Sequence, residues 1–296
     1  MEKKLLFVYN PISGKAQVKN SLNDILNNYT KAGYLVSVHP TQSKLDGYEY
    51  IKSHITKYDL ISVCGGDGML NETVNALMCV GDDFRPPLLF LPGGSTNDFA
   101  STLKIPTNLK KASEKISNGK PVFCDLGNFN SKNFVYVAAF GAFTSVSYDT
   151  SQDLKNKFGH LAYVVSGIKE LTSIKPHRVR VKYDDKVIED DFIYGMVSNS
   201  DQIGGFKTAK DMRCSINDGE FEVVLIKNPK NALGYQIVLS DLVTQNYISE
   251  YFITFKTSKI TFESDDEISW TLDGEFGGKE KTAEINIIEK AFSIIL

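Results

Sequence analysis

Acids and hydroxyls set among glycines are the residues of this 296-residue chain whose types and spacing could do chemistry. Three such segments share its first third: Asn10-Pro-Ile-Ser-Gly14, Gly65-Gly-Asp-Gly68 and Pro92-Gly-Gly-Ser-Thr-Asn-Asp98. Each follows a short apolar run. Glycine has no side chain in the way and takes positive φ, so backbone N–H groups in such turns can approach an anion closely. Three of them at strand ends suggest one shared polyphosphate site, and so a nucleotide-handling enzyme.

Taken singly, the segments differ in what they specify. In the first, Ser13 and Lys15 can meet phosphate by hydroxyl and by charge. It lacks the G-x-x-x-x-G-K-[ST] pattern of a P-loop, and a plain strand-to-helix turn reads it equally well. The second, running on to Asn71, Glu72 and Asn75, is the most specific. Asp67 lies between glycines at the end of a buried strand, where a carboxylate could face a Mg²⁺–phosphate unit. Asp and Gly also form ordinary turns, but three glycines around one acid make that the weaker reading. In the third, Ser95 or Thr96 could cap the next helix, with Asp98 in its first turn favoured by the helix dipole alone. Alternatively, Ser95 and its neighbouring amides bind phosphate and Asp98 joins an acidic network. Far downstream, Trp270-Thr-Leu-Asp-Gly-Glu-Phe-Gly-Gly278 puts Glu275 just past an Asp273-Gly274 turn. Glu275 there is either part of a surface hairpin or a general base on a mobile loop.

The elements that must hold these residues follow from periodicity. Strands are expected at Leu5 to Tyr9, Tyr34 to His39, Leu60 to Cys64 and Leu88 to Leu91. Helices are expected at Val18 to Gly33, Tyr48 to Thr56 and Asn71 to Met78. This alternation predicts a mainly parallel sheet flanked by helices, with ligands at the carboxyl ends of its strands. After about Gly119 strand-like runs dominate. They are Val122 to Leu126, Asn133 to Phe140, Val179 to Tyr183, Phe192 to Ser198, Phe221 to Ile226, Ile253 to Phe255, Lys259 to Glu263, Ile268 to Leu272 and Ile285 to Ile288. Helices interrupt them chiefly at Leu161 to Ser173 and Ala232 to Leu242. A second, mostly antiparallel β domain is expected, giving domains 1–120 and 121–296.

Composition narrows the class. A net charge of −3 gives no case for bulk nucleic-acid binding, and 42% hydrophobic with 23% charged residues is ordinary for a globular protein. No apolar run has the length of a transmembrane helix. The start of the chain leads directly into a strand, so no signal peptide is expected. Cys64, Cys79, Cys124 and Cys214 are scattered, which fits a reducing cytoplasm and argues against zinc.

The four segments, taken in order, resemble the soluble bacterial diacylglycerol kinase and lipid kinase family, relatives of sphingosine kinases. That family shows N-P-x-S-G, then G-G-D-G-T-x-N-E, then P-x-G-T-x-N-D-F, then a late D-G-E. The matching residues here are Asn10 to Gly14, Gly65 to Glu72, Pro92 to Phe99 and Asp273 to Glu275. The resemblance implies a phosphofructokinase- and NAD-kinase-like α/β domain with a Rossmann-like parallel sheet, followed by an all-β, sandwich-like domain. It implies ATP in a cleft between the two and a lipid hydroxyl as acceptor, with diacylglycerol the default. By similarity, Asn10, Pro11, Ile12, Ser13, Gly14, Lys15, Thr41, Gly65, Gly66, Asp67, Gly68, Met69, Leu70, Asn71 and Ser95 line the nucleotide site. Glu275 matches the proton acceptor, and Asp67 and Asp98 match acids that tie Mg²⁺–ATP to it. A second, structural Mg²⁺ is implied at Asp218, with backbone carbonyls of Ser215 and Glu220. Asp125 matches a further family acid near the domain junction.

Two departures stand out: Met69 replaces the usual Thr, and Ser95 supplies the hydroxyl usually given by Thr. The first leaves a catalytically weak nucleotide-binding regulator as an alternative, beside a kinase of another lipid or of NAD. Between Ser151 and Lys182, seven Lys/Arg stand against two Asp/Glu, beside Phe158, Leu161, Tyr163, Val164, Val165, Ile168 and Leu171. Such a helix could rest on anionic lipid or face a core with solvated lysines. A cytoplasmic, peripherally membrane-associated kinase is the expectation, and a homodimer is compatible with it.

Overall fold

Leu5 to Val8 are fully buried, as a run with no alternation of polar residues demands of a strand covered on both faces. They belong to β1 (Lys3–Tyr9), which lies between two parallel neighbours, β2 (Tyr34–Pro40) and β3 (Leu60–Gly65). β4 (Leu88–Pro92) continues the parallel sheet beside β3. The computed structural model describes residues 2–13, 17–142, 175–200, 202–203, 206–207, 215–245 and 247–296. Gly14, Lys15, Cys214 and the helix expected at Leu161 to Ser173 lie outside them.

The chain divides into two compact units. The first comprises Met1–Leu126, Ile216–Asp218 and Ile288–Leu296, the second Gly127–Ser215 and Gly219–Ile287. In the first unit the strand order is β2-β1-β3-β4, so the order reverses between β1 and β3. Helices α1 (Gln17–Lys31), α2 (Asp46–His54) and α3 (Asp67–Leu77) connect the strands. Tyr29 on α1 reaches Ser62 on β3 with its hydroxyl, 2.6 Å, inside a core that includes Phe7, Ile25 and Leu89. The chain's end adds one more parallel neighbour, with Ile294 paired to Leu88. Lys120 and Leu296 exchange both backbone hydrogen bonds.

One boundary moved with chemical consequence. A helix was expected from Asn71, but α3 begins four residues earlier, at Asp67, with Gly66 in extended conformation before it. Asp and Gly are poor interior helix formers, which hid the start, yet both suit a first turn and its cap.

The second unit is antiparallel. β9 (Lys186–Ser198) and β14 (Lys259–Leu272) are long, and each changes partner along its length. Their one half pairs with β8 (His177–Tyr183), their other with β7 (Val137–Gly141). A register shift between Glu263 and Ile268 lets β14 bend, so two expected strands are one. β12 (Phe221–Lys227) and β13 (Phe252–Thr257) extend the sheet beyond β9. At the centre, Trp270 lies against Phe129, Phe140 and Phe262 with ring centroids 4.9 to 5.1 Å apart. The expected strand at Asn133 to Phe140 is broken into β6 (Lys132–Phe134) and β7. The break has a physical cause: the amides of Val135, Tyr136 and Val137 all donate to the carboxylate of Asp273 rather than to a neighbouring strand.

Candidate functional site

Each of the three glycine turns follows the carboxyl end of a parallel strand: Asn10 after β1, Gly66 after β3 and Gly93 after β4. Hydrogen bonds tie them together. The Asn10 amide donates to the Cys64 carbonyl at 3.0 Å, and its side-chain oxygen accepts from Ile12 N–H at 3.0 Å, a turn closed by the residue that begins it. Ser13 donates its hydroxyl to the Gly93 carbonyl at 2.7 Å. The Gly93 amide donates to the Gly65 carbonyl at 2.8 Å. Thr41, at the end of β2, is held by its amide on the Tyr9 carbonyl at 2.9 Å. The turns sit beside the point where strand order reverses, the usual ligand-binding position of an open parallel sheet.

The closeness of the second and third turns explains their glycines. A Cβ on Gly94 would lie 2.5 Å from the Gly66 Cα, and one on Gly66 would lie 3.3 Å from the Gly94 Cα. Asn97 then fixes the third turn. It stands at φ 53°, receives the Gly94 amide on its side-chain oxygen and donates its side-chain N–H to the Gly94 carbonyl, both at 2.9 Å. Asparagine tolerates this left-handed backbone, which is why neither Ser95 nor Thr96 is the residue before the helix. Reading the sequence assigned Asn97 no role; an Asn directly before an Asp, after two glycines, was the available signal. Ser95 itself is exposed.

Asp67 and Asp98 open two successive helices, α3 and α4 (Asp98–Thr102). The Asp98 amide points to the Asp67 carboxylate at 3.4 Å. The first turn of a helix favours an acid and also presents free N–H groups. Next along α3, Met69 and Leu70 are buried. A Cβ on Gly47 would meet the Met69 sulfur at 3.0 Å, and one on Gly65 its Cβ at 2.6 Å. Met69 therefore fills the gap between β3 and α2, and the departure from Thr is a packing feature. Asn75 donates to the Asn71 carbonyl and side-chain oxygen at 2.9 and 3.0 Å. Glu72 accepts from the Leu45 amide at 3.2 Å, which anchors the loop before α2. Burial raises the Glu72 pKa above its ordinary value, against the lowering effect of the Leu45 and Tyr48 amides.

Asp125 is buried, and its role within the first unit is architectural. Its amide donates to the Ile216 carbonyl and its carboxylate receives the Lys290 amide, both at 2.7 Å. It thus joins three distant stretches of chain. Asp218 lies exposed on the adjoining 216–219 turn, where Gly219 has φ 76°, with Ser215 and Glu220 at its two ends.

In the second unit, Asp273 and Gly274 have φ 49° and 83°, the two-residue turn that joins Leu272 to Glu275 in the β14–β15 hairpin (β15, Glu275–Ile295). Glu275 is exposed at its tip, followed by an exposed Phe276. Of the basic stretch before Lys182, residues 175–182 are described. There Lys175 pairs with Asp266, Arg178 with Glu189 and Lys182 with Glu263. No helix among the described residues is long and apolar enough to cross a membrane.

Comparison with known proteins gives these features a family. The profile of the diacylglycerol kinase catalytic domain matches residues 4–129, and that of the YegS C-terminal NAD kinase beta sandwich-like domain matches residues 138–296. The diacylglycerol kinase of Bacillus subtilis (strain 168) is 33% identical over 279 residues, covering 93% of this chain and 91% of its own. That of Staphylococcus carnosus (strain TM300) is 32% identical, covering 97% and 93%. A crystal structure of a candidate diacylglycerol kinase from Bacillus anthracis str. Sterne superposes with a TM-score of 0.82 at 27% identity, covering 99% of this chain and 95% of that one. The architecture is thus an α/β catalytic domain followed by a β-sandwich-like domain, and the chain belongs to the diacylglycerol kinase family, enzymes that transfer a phosphoryl group to an alcohol.

Proposed function

We propose that this chain moves the γ-phosphoryl group of ATP onto the hydroxyl of a lipid, with diacylglycerol the acceptor and phosphatidic acid the product. The observation that carries this reading is the set of three glycine turns, hydrogen-bonded to one another at strand ends, with Asp67 and Asp98 opening the helices that follow. Phosphoryl transfer needs positioning and charge neutralisation more than covalent help from the protein. Backbone amides at the start of α3 and at Ser95 would hold the phosphates, the turn at Asn10 to Ser13 lining the site beside them, with Ser95 adding a hydroxyl and Lys15 a charge. Met69 and Leu70, being buried, would contribute main-chain atoms alone.

The donor chemistry accommodates Mg²⁺. Two carboxylates suit a cation that arrives with a polyphosphate and keeps waters; among the described residues no group of three or more His, Cys, Asp or Glu side chains forms a protein cage. When bound, the ion would neutralise charge on the phosphates. Asp67 and Asp98 would hold it, and Asp218 with the Ser215 and Glu220 carbonyls would take a second, structural ion. Glu275 would accept the hydroxyl proton as the lipid oxygen bonds to the γ-phosphorus and the bond to ADP breaks.

A panel of diacylglycerol, monoacylglycerol, phosphatidylglycerol, undecaprenol and sphingosine, offered with γ-labelled ATP and Mg²⁺, tests the acceptor. Label concentrated in phosphatidic acid is the expected result. Label in another lipid would replace the acceptor, and ATP left intact with every lipid would sink the reading. Met69 lends no weight to a regulator without catalysis, since its side chain packs in the core.

A further inference from the structure

We infer that Asp273 is a positioning residue that aims the hairpin tip carrying Glu275, an inference that rests on the reading of Glu275 as the proton acceptor. Three consecutive backbone amides converge on this one side chain: Val135 N–H donates to Oδ2 at 2.7 Å, and Tyr136 and Val137 N–H to Oδ1 at 2.9 and 3.1 Å. The Asp273 amide returns a bond to the Val137 carbonyl at 2.8 Å. All four residues are buried. A carboxylate accepts such bonds with both oxygens, and bonds to a charged acceptor are about twice as strong as neutral ones.

The connection reaches further than the turn. The Tyr136 carbonyl accepts from the Asn199 amide at 2.9 Å and from the Ser198 hydroxyl at 3.1 Å. Ser198 shares that one proton with the Ser200 carbonyl and receives the Ser200 amide on its oxygen. Those three residues are fully buried. On the other side of the hairpin, the Lys132 ammonium donates to the Gly277 carbonyl at 2.6 Å. A tip built on a two-residue turn would swing if held only by its strand ladder. Here the residue two before Glu275 is fastened to the β6–β7 corner, and that corner is fastened to the end of β9. The same bonds explain why Asp273 accepts a left-handed backbone at φ 49° instead of leaving the position to glycine. Its value lies in a side chain that glycine lacks.

Asp273→Asn is the informative substitution. Asparagine keeps the volume and tolerates the backbone, but it places an N–H₂ group where one oxygen received an amide. Asp273→Gly keeps the turn and removes all three acceptors. The expected result is a fall in kcat of about 10- to 100-fold for Asp273→Asn, because small misplacements of a reacting group cost that much. KM for ATP should stay within about twofold of the unaltered enzyme. Amide exchange at Val135, Tyr136 and Val137 should quicken in both variants, while the melting curve of Asp273→Asn remains cooperative. Normal kcat in a variant whose 135–137 amides exchange quickly would overturn the proposal, since the bonds would then serve the fold alone. Unchanged exchange would overturn it too. Glu275→Gln run beside them separates the two ideas: if it is active while Asp273→Asn is slow, the base lies elsewhere on the aimed hairpin and only the Glu275 assignment fails. Should the glycine variant not fold, the asparagine variant and its split between kcat and KM decide.

Discussion

A methyl group is enough to probe the glycine turns. Gly94→Ala would put its Cβ 2.5 Å from the Gly66 Cα and 2.8 Å from the Asn97 side-chain oxygen. Both neighbours are fixed, one by backbone and the other by its bonds back to Gly94, so the turns must part. A loss of roughly 1–3 kcal/mol of stability is expected, with a raised KM for ATP; denaturant titration and steady-state kinetics would read them. Glu72 offers a test by pH. Its folded pKa is raised above the ordinary 4.5, chiefly by burial. The fold therefore binds that proton more tightly than the unfolded chain does. The associated stability is fully present below the unfolded value and is lost as pH rises through the folded one. Glu72→Gln should flatten that part of the stability–pH curve, measured by urea titration from pH 4 upward; an unchanged slope would show that Glu72 does not titrate there. The candidate site residues were proposed from type and spacing, because phosphate chemistry leaves few choices at each position. Asn97 and the inward turn of Met69 were not, since each depends on a neighbour distant in sequence: Asn97 on the approach of Gly94 to Gly66, Met69 on Gly47.

At the scale of elements, the parallel strands of the first unit were legible as uninterrupted apolar runs, and their ends were read to within a few residues. The strands depart from their sequence pattern where side chains intervene in the backbone pairing. The run from Asn133 to Phe140 has the pattern of one strand, and only the Asp273 carboxylate, far along the chain, divides it. Conversely, Ser264 to Glu267 look like a polar break, yet β14 runs through them by shifting register. That continuity is what brings Trp270 into the core that β8 and β7 share. Trp270 is 1% exposed and packs on three phenylalanines. Trp270→Ala should cost about 3–5 kcal/mol, read as a lowered urea midpoint with little change in slope. A loss under about 1 kcal/mol would mean that the core collapses around the gap.

Across the whole molecule, the split into two units was legible from the order of the elements, and Asp67 and Glu275 fall one in each. Less legible was the path of the chain: a three-residue excursion at Ile216–Asp218 and the final Ile288–Leu296 both belong to the first unit. Hydropathy cannot reveal which sheet a terminal strand joins; the bonds of Lys120 with Leu296 and of Asp125 with Lys290 do. The central claim concerns neither path nor packing but chemistry. It is tested most directly by presenting diacylglycerol in anionic vesicles with γ-labelled ATP and Mg²⁺ to the unaltered enzyme and to Glu275→Gln. Label in phosphatidic acid is expected from the first, and at least about 100-fold slower transfer from the second, the scale of a lost general base. Equal transfer by both, or label that never reaches the lipid, would contradict it.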